Sequence, residues 1–318
     1  MAEHGTATFA SPEDYSAAIG AARLNLFVTA GGDFNGRLTW LNVGGLHVVR
    51  GRENIPRIGF LVLPPAQAII SFPASGESSF AYCGVGLDFG DFVFHGLGER
   101  AHQRTDAGVV WGLISLPPEQ LAACSRALTG QSIRPPSQGH VTRPARDAAK
   151  GLLGLFSKVC RLAENKRAII ANPEVARALE QELLHALVNC LTTGAVAESP
   201  SRRRRHTDVM IRFEEALAAQ SEPHLNVSQL CKAIGVPERT LRQYCAEFLG
   251  MSPTRYYLLR RLNMARAALR RADPKTASVA AIARDHQFVE LGRFAMAYRA
   301  VFGEMPSSTL RRARSKTE

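Results

Sequence analysis

The chain has 318 residues, of which 46% are hydrophobic and 21% are charged, and this balance excludes a disordered or collagen-like protein. Its formal net charge of +11 is unevenly distributed along the sequence. Residues 1–200 carry 17 basic and 17 acidic side chains, whereas residues 201–318 carry 22 basic and 11 acidic ones. A neutral region followed by a compact basic region predicts a polyanionic partner for the second region only, and argues against a single-domain enzyme.

The sequence leads us to expect neither a targeting signal nor a membrane span. Residues 1–20 contain no basic segment followed by an apolar run, so we expect no signal peptide. The most apolar stretch, residues 58–70, is too short to cross a bilayer and is interrupted by Pro64 and Pro65. Six dispersed cysteines without a C-x-x-C motif predict reduced thiols and a cytoplasmic protein.

The first part of the chain has the pattern of strands followed by helices. Short alternating apolar segments separated by Gly, Asn and Asp turns predict a β-rich region at residues 20–116, folded as a small antiparallel barrel or sandwich. Residues 117–193 have a helical pattern, with predicted helices at residues 118–130, 143–165 and 173–191. The last two helices are amphipathic, so they either pack on the barrel or form an antiparallel dimer contact.

Residues 194–206 have the composition of an interdomain linker. They include several small residues, one proline and four consecutive arginines, and therefore have little apolar surface to bury. We expect this linker to be flexible and sensitive to proteases. It divides the chain into an N-terminal domain, residues 1–193, and a C-terminal domain, residues 207–318.

The basic C-terminal domain contains an imperfect internal duplication. Four positions recur 52 residues later, namely Val227 as Val279, Leu230 as Ile282, Gly235 as Gln287, and Val236 as Phe288. Three further positions recur 53 residues later, namely Leu241 as Phe294, Gly250 as Gly303, and Pro253 as Pro306. Each copy is typical of a short helix, a tight turn and a second helix that ends at a Gly-x-x-Pro sequence. This arrangement predicts two helix-turn-helix units, which we call the first copy (residues 226–249) and the second copy (residues 278–302).

Local signals support both units and a helix between them. Asn226 is the predicted N-cap of the first copy, with Gln229 three residues later, and Gly235 supplies the positive φ expected in the turn. Ser278 is the predicted N-cap of the second copy. Residues 252–271 contain no internal breaker and predict a linker helix ~30 Å long, close to the ~34 Å of one turn of B-DNA. One face of this helix is basic, with Arg255, Arg260, Arg266 and Arg270.

Three motifs of the C-terminal domain are shared with a known family. They are the R-T-L at residues 239–241, the R-L-x-x-A-R at residues 261–266, and the spaced Phe294, Phe302-Gly303 and Pro306. On these motifs, residues 207–312 resemble the DNA-binding domain of AraC/XylS-type transcriptional regulators. The resemblance implies a mixed fold, in which a cupin-like β-barrel or sandwich with a helix pair precedes an all-α domain of two helix-turn-helix subdomains joined by a linker helix.

The same resemblance implies a function. Members of this family are mostly transcriptional activators that bind double-stranded promoter DNA, and a homodimer controlled by a small-molecule effector in the N-terminal domain is expected. The second helix-turn-helix unit is then expected to lie near RNA polymerase.

The family's base-contacting positions match Arg239, Arg242 and Gln243 in the first copy, and Thr240 is placed to contact a phosphate. Arginine can bind guanine O6 and N7 with two hydrogen bonds, and glutamine can bind adenine N6 and N7. Exposed polar residues are common on any helix, so this assignment depends on the motif that surrounds them.

The second copy differs at these positions. Its equivalents are Gly292, Ala295 and Met296, whose side chains donate no hydrogen bond. Leu291 or Met296 can contact a thymine methyl group. The nearby polar side chains are those of Glu290, Arg293 and Arg299. Gln287 replaces the usual turn glycine at a cost of ~1 kcal/mol. We therefore hypothesise that the first copy specifies the DNA sequence, whereas the second mainly positions the domain through phosphates.

For the N-terminal domain, the sequence favours a ligand pocket over an enzyme active site. His95 and His102 lie in one predicted strand–turn–strand stretch, but the His-x-His pair of a cupin metal site does not occur. We therefore expect no metal, no cofactor and no catalytic residue. Aromatic side chains on predicted strands either line a pocket for an effector or belong to the core. They are Trp40, Phe60, Phe72, Phe92, Phe94 and Trp111.

Overall fold

In a computed structural model of the chain, residues 4–196, 200–220 and 225–312 are described. The strands are β1 (His4–Phe9), β2 (Arg23–Val28), β3 (Gly36–Val43), β4 (Leu46–Glu53), β5 (Arg57–Val62), β6 (Ala68–Pro73), β7 (Phe80–Tyr82), β8 (Val85–Leu87), β9 (Phe92–Phe94), β10 (Arg100–Thr105), β11 (Val110–Leu116), β12 (His140–Arg143) and β13 (Ala195–Val196). The helices are α1 (Pro12–Ala18), α2 (Pro118–Thr129), α3 (Arg146–Asn165), α4 (Arg167–Ile170), α5 (Pro173–Thr193), α6 (Pro200–Ala218), α7 (Val227–Ile234), α8 (Glu238–Leu249), α9 (Pro253–Arg271), α10 (Val279–Asp285), α11 (Leu291–Phe302) and α12 (Pro306–Arg312). The predicted mixed class, a β-rich region followed by an all-α domain, is confirmed.

Two antiparallel sheets form the N-terminal domain. The larger has the strand order β1-β3-β4-β11-β6-β9-β12-β13, and the smaller has the order β2-β5-β10-β7-β8. Side chains alternate along β11, where Trp111 and Leu113 point between the sheets and Ile114 points to the outer face. This alternation, which the sequence pattern predicts, gives the sandwich an apolar interior.

The outer face of the larger sheet is covered by α3 and α5. Phe156 of α3 packs edge-on against Phe72 of β6, with ring centroids 4.9 Å apart. Leu152, Val159 and Leu187 are buried in the same cluster. The apolar stripes of both helices are thus covered within the chain, which favours packing on the sandwich over use of these stripes in a dimer.

β1, β12 and α6 differ from the sequence-based boundaries. β1 lies before residue 20 because it pairs with β3, and β12 lies within the helical region because it pairs with β9. α6 begins at Pro200, so part of the predicted flexible linker is helical. Arginine favours helices, and the later part of α6 buries Met210 and Phe213. Partners that are distant in sequence therefore decide these boundaries.

The linker helix α9 runs between the two helix-turn-helix units of the C-terminal domain. Its residues Leu262, Ala265 and Leu269 are buried in the domain core. The domain packs on the smaller sheet, with α9 against β2 and α8 against β10. One hydrophobic cluster continues from the sandwich into the C-terminal domain, so the two domains are docked together.

Candidate nucleic-acid interface

The first copy consists of α7, a tight turn and α8. The Asn226 side chain accepts a hydrogen bond from the Gln229 N–H at 3.1 Å, and Gly235 ends α7 with a φ of 76°. The predicted N-cap and the predicted turn glycine are both confirmed. Because these features depend on neighbouring residues, the sequence was sufficient to locate them.

One face of α8 is polar and exposed, and the other is buried. Arg239, Arg242 and Gln243 are exposed and Thr240 is partly buried. The opposite side of the helix is buried through Leu241, Tyr244, Cys245 and Phe248. The Arg242 Nε donates to Glu238 Oε1 at 2.8 Å, an exposed pair one helical turn apart. The base-contacting residues predicted for the first copy thus share an accessible surface.

The second copy consists of α10, a longer turn and α11. The Ser278 side chain accepts from the Ala281 N–H at 3.1 Å, which confirms the predicted N-cap. Gln287 has a φ of 65°, so it occupies the left-handed region in place of glycine. Tyr257 of α9 donates to Gln287 Oε1 at 2.9 Å, and Arg261 donates to the Gln287 carbonyl. Contacts from the linker helix therefore hold this unfavourable turn conformation.

The turn of the second copy is one residue longer than that of the first. In the first copy the N-cap of the recognition helix, Pro237, follows Gly235 by two positions. In the second copy the N-cap, Glu290, follows Gln287 by three positions. This insertion explains why the duplication changes its offset from 52 to 53 residues. The additional residue is Val289, which is 71% exposed.

The exposed face of α11 carries different chemistry from that of α8. Of the side chains predicted to contact DNA, Glu290, Arg293 and Met296 are exposed and Leu291 is partly buried. Arg293 Nη1 donates to Glu290 Oε1 at 3.0 Å. Arg299 is also exposed. This face therefore combines an apolar centre with two arginines and one glutamate beside it.

The basic face predicted for α9 is largely used inside the protein. Arg255 is exposed, but Arg260 and Arg266 contact the N-terminal domain or the helical core. The Arg270 guanidinium donates to the carbonyl of Ala10. Three of the four arginines therefore contact protein atoms, a role that the local sequence did not indicate.

A buried polar cluster joins the two domains. Glu214 of α6 accepts from Tyr256 Oη at 2.7 Å and contacts Arg260, while its Oε1 lies 2.8 Å from His102 Nε2 of β10. Burial raises the pKa of the Glu214 carboxyl, but the bonds and charges of His102, Arg260 and Tyr256 outweigh it and hold this pKa below its usual value. Sequence reasoning missed this cluster, although an acidic residue beside Phe213 within an apolar stripe was a detectable signal.

The edge strand β2 is also bonded to the linker helix. Asn263 Oδ1 accepts from the Val28 N–H at 3.0 Å, and its Nδ2 donates to the Val28 carbonyl at 3.1 Å. One buried amide thus satisfies both backbone groups of an edge residue, as a further strand would.

A cavity of about 30 Å³ lies between the two sheets. Its walls are apolar, with Arg57, His95 and Gln103 among the polar lining residues. Arg57 is 1% exposed, and its Nε donates to Glu53 Oε2 at 2.8 Å. Among the described residues, nothing accepts a hydrogen bond from Arg57 Nη1. The cavity therefore has a buried donor without a partner.

The six aromatic residues predicted as pocket residues do not form one site. Of these six, Trp111 lines the cavity. Phe60 lies on the opposite face of the smaller sheet, with its ring centroid 4.9 Å from that of His102, and Trp40 is partly buried. The other three face α3 and α5, namely Phe72, Phe92 and Phe94. Strand alternation, which the sequence pattern did not fix for each residue, separates them.

The two histidines considered as metal ligands are separated as well. His95 lines the cavity and lies 2.8 Å from Ser71 Oγ, whereas His102 faces α6. Within the described ranges, no group of three or more His, Cys, Asp or Glu side chains is placed to hold a metal ion. The six cysteines are free thiols. No described helix is both long and apolar enough to cross a membrane.

Two solved structures to which this chain is similar are described as regulators. A crystal structure of the AraC-like transcriptional activator CuxR is 15% identical, covers 97% of this chain and 99% of that chain, and has a TM-score of 0.46. A probable AraC family transcriptional regulator from Rhodopseudomonas palustris is 32% identical, covers 33% of this chain and 97% of that chain, and has a TM-score of 0.30.

Curated relatives are similar over about half of the chain. The XylDLEGF operon transcriptional activator 3 of Pseudomonas putida is 29% identical over 57% of this chain and 54% of its own length. A probable thc operon regulatory protein of Rhodococcus erythropolis is 32% identical over 47% of each chain. The HTH-type transcriptional activator RhaS of Pectobacterium carotovorum is 27% identical over 46% of this chain and 50% of its own. This chain thus spans about half the length of these relatives.

A family model adds to these similarities. Residues 230–312 match the model described as a helix-turn-helix domain, which covers most of the first copy, the linker helix and the second copy. Together with the three sequence motifs and the curated relatives, this match identifies the C-terminal domain of this chain as a helix-turn-helix domain of the AraC/XylS type.

Proposed function

We propose that this chain is a one-component transcription regulator of the AraC/XylS type that binds promoter DNA through its C-terminal domain. The observation that carries the proposal is a pair of helix-turn-helix units separated by a rigid helix, with Arg239, Arg242 and Gln243 exposed on the first. At 1.5 Å per residue, α9 is ~30 Å long, close to one turn of B-DNA. The two recognition helices then enter successive major grooves.

The proposal gives the two copies different contacts. Arg239, Arg242 and Gln243 bind base edges by hydrogen bonds, and Thr240 binds a phosphate. The second copy contributes the contacts of α11 and of the residue before it, namely Glu290, Leu291, Arg293 and Met296. Because that surface has few free donors, it adds mainly phosphate contacts and positioning.

The direct test is selection of bound duplexes from a random pool with the full chain, followed by footprinting. We expect two non-palindromic segments about one helical turn apart for each protein chain. Recovery of unrelated sequences, or protection of a single short segment, contradicts the proposal. Measurements at two salt concentrations separate the phosphate contribution, since that contribution weakens steeply with salt.

We propose that the N-terminal domain binds a small-molecule effector between the sheets, where the cavity of about 30 Å³ has room for about one water molecule and widens when the effector enters. The unpartnered Arg57 Nη1 supports this assignment, because a buried donor is stabilised by an acceptor from a ligand or from water. The strands that line the cavity also contact the C-terminal domain. On β10, Gln103 lines the cavity and His102 faces Glu214. Movement of this strand on ligand binding would therefore alter domain docking.

A metabolite screen by thermal shift on the full chain tests this second part. A ligand present at 100 times its dissociation constant is expected to stabilise the chain by about 2.7 kcal/mol and to change DNA affinity. The variant Gln103→Leu keeps the side-chain size and should weaken the shift, because it removes a polar group from the cavity wall. Turnover of the bound metabolite would instead favour an enzyme, a class that the proposal excludes.

The remaining parts of the proposal concern partners. We propose that the protein acts in the cytoplasm as a homodimer, activates transcription and contacts RNA polymerase. Reconstituted transcription from the selected DNA site, with and without the protein, tests activation against repression. Sedimentation of the full chain at micromolar concentration tests the dimer.

A further inference from the structure

The second copy exposes two large apolar side chains beside its recognition helix. Met296 is 75% exposed and Val289 is 71% exposed, the highest values among the large hydrophobic residues that the structure describes. Met296 lies on α11, and Val289 lies in the turn just before Glu290, the N-cap of that helix. Such a surface gains free energy when an apolar partner covers it.

Comparison with the first copy shows what changed at this surface. Met296 occupies the position of Gln243, so a thioether replaces an amide that hydrogen-bonds to bases. Val289 is the residue inserted in the longer turn and has no equivalent in the first copy. Between them lies Gly292 in place of Arg239, and an added Cβ there would meet no atom within 4 Å. On the recognition helix, a glycine and a methionine thus replace two hydrogen-bonding side chains, and one apolar residue is added before the helix.

The charged residues around Val289 and Met296 indicate which kind of partner this surface fits. Arg293 and Arg299 are exposed on α11, and Arg255 lies beside Val289 in the groove between α9 and the second copy. Three arginines thus surround the apolar residues, and the one carboxylate among them, Glu290, is paired with Arg293. The net positive charge suits a polyanion that presents an apolar group. In the major groove of DNA, the apolar group at a base edge is the C5 methyl of thymine.

We infer that the second copy recognises thymine methyl groups in the second segment of the DNA site, through Met296 and Val289. The inference rests on the proposed function and changes one part of it. The second copy then discriminates among sequences by apolar contact, in addition to positioning the domain on phosphates.

Replacement of thymine by deoxyuridine tests the inference, because it removes one methyl group and keeps the base pair. The duplex is the site selected with the full chain, and thymines are replaced in one segment at a time. Each contacted methyl in the second segment should account for about a fourfold loss of affinity, the equivalent of ~0.8 kcal/mol for one buried CH₂ group.

Variants assign the effect to the protein surface. Met296→Gln restores the residue type of the first copy and should remove the response to deoxyuridine at the thymine that Met296 contacts, while the response at the thymine of Val289 remains. Val289→Ser should remove the response at the thymine that Val289 contacts. Met264→Gln is the matched control, because Met264 is 43% exposed on α9, outside both recognition helices, and this variant should retain the fourfold response. Both methionines are exposed, so we expect all three variants to fold, as thermal unfolding will report.

The outcomes separate the inference from the proposed function. A selected site without thymine in its second segment overturns the inference, as does a loss below 1.5-fold or an equal response in Met296→Gln and Met264→Gln. If Arg239→Ala still weakens binding to that site, the proposed function stands. If no sequence is selected at all, both the proposed function and the inference fail.

Discussion

The two helix-turn-helix copies share a scaffold but present different surfaces. α8 and α11 are each 12 residues long, and each ends at a glycine with positive φ, Gly250 or Gly303. Leu241 and Phe294 fill equivalent core positions, with exposures of 0% and 2%. At the exposed positions, α11 carries small or apolar residues where α8 carries polar ones. The fold therefore depends on the buried pattern and the turn, and the exposed face can differ according to the partner.

The copies also differ in how they are attached to the N-terminal domain. Near the first copy, Phe248 of α8 packs on His102, which itself joins the buried Glu214 cluster. At the end of the second copy, Gly31 lies so close to the α11 backbone that an added Cβ would be 2.6 Å from a Phe302 atom, and beyond it the exposed Arg312 lies 2.8 Å from Asp33. Because β10 lines the cavity through Gln103 and contacts α8 through His102, effector-dependent movement of this strand should reach the first copy directly.

The largest effect is expected from the core of the second copy. Phe294 is buried, and its ring centroid lies 4.7 Å from that of Phe288 and 5.6 Å from that of Tyr298. Phe294→Ala should lower the free energy of unfolding by about 3–5 kcal/mol, because it leaves a cavity among these rings. Denaturant unfolding measures this change. A loss below about 1 kcal/mol would show that the second copy is loosely packed, unlike the first.

The interdomain cluster gives the next largest effect. Glu214→Gln removes a buried charge that faces His102 and Arg260, and should lower the free energy of unfolding by about 3 kcal/mol. The exposed Glu215→Gln, whose native side chain pairs with Arg100, is the matched control and should change it by less than about 1 kcal/mol. Equal effects of the two variants would contradict a docking contact centred on Glu214.

The lowered pKa of the Glu214 carboxyl predicts that the free energy of unfolding depends on pH. Because docking lowers the pKa of Glu214, its contribution is complete above the ordinary glutamate value of about 4.3, and is lost as pH falls through the lowered value. The difference in unfolding free energy between the native chain and Glu214→Gln should therefore shrink below pH 4. Denaturant titrations at pH 7 and in the acid range measure it. A constant difference across this range would show that the charge of Glu214 is not what stabilises the interface.

The contrast in DNA recognition gives a smaller effect. Arg239→Ala should weaken binding to the selected site by ~1–3 kcal/mol and binding to random DNA much less. Arg293→Ala, the variant at an exposed arginine of the second copy, should weaken both kinds of DNA to a similar extent. Gel-shift titrations on both duplexes measure the ratio. If Arg239→Ala lowered the affinity for the selected site and for random DNA equally, the proposed distinction between the copies would be contradicted.

The smallest effects are expected from substitutions at two glycines, which should change the free energy of unfolding in opposite directions. Gly235→Ala should cost ~1 kcal/mol of unfolding free energy, because its φ of 76° is unfavourable for a residue with a Cβ. The nearest atom to that Cβ lies 3.8 Å away, so backbone strain is the main cause. Gly292→Ala lies within α11 in open space and should stabilise the chain by ~0.5–1 kcal/mol. Two changes of the same sign would contradict this account of the two glycines.

Local features of the fold and of the candidate site were predictable from the sequence. The N-caps at Asn226 and Ser278, the turn at Gly235 and the polar face of α8 each depend on residues within one or two helical turns. The segregation of charge located the basic domain before any motif was considered. The placement of the pocket aromatics was not predictable, because one-residue differences in strand alternation decide whether a ring faces the cavity or α3.

The sequence by itself determined the duplication, the residues of each turn and the exposed surface of each recognition helix, because all three depend on short-range sequence patterns. Only the tertiary structure decided that Gln287 keeps its positive φ through Tyr257 and Arg261 of the linker helix. It also decided that Arg260 docks on Glu214 in the protein interior. Such contacts join residues that are distant in sequence, and their free energy depends on burial that no local pattern specifies.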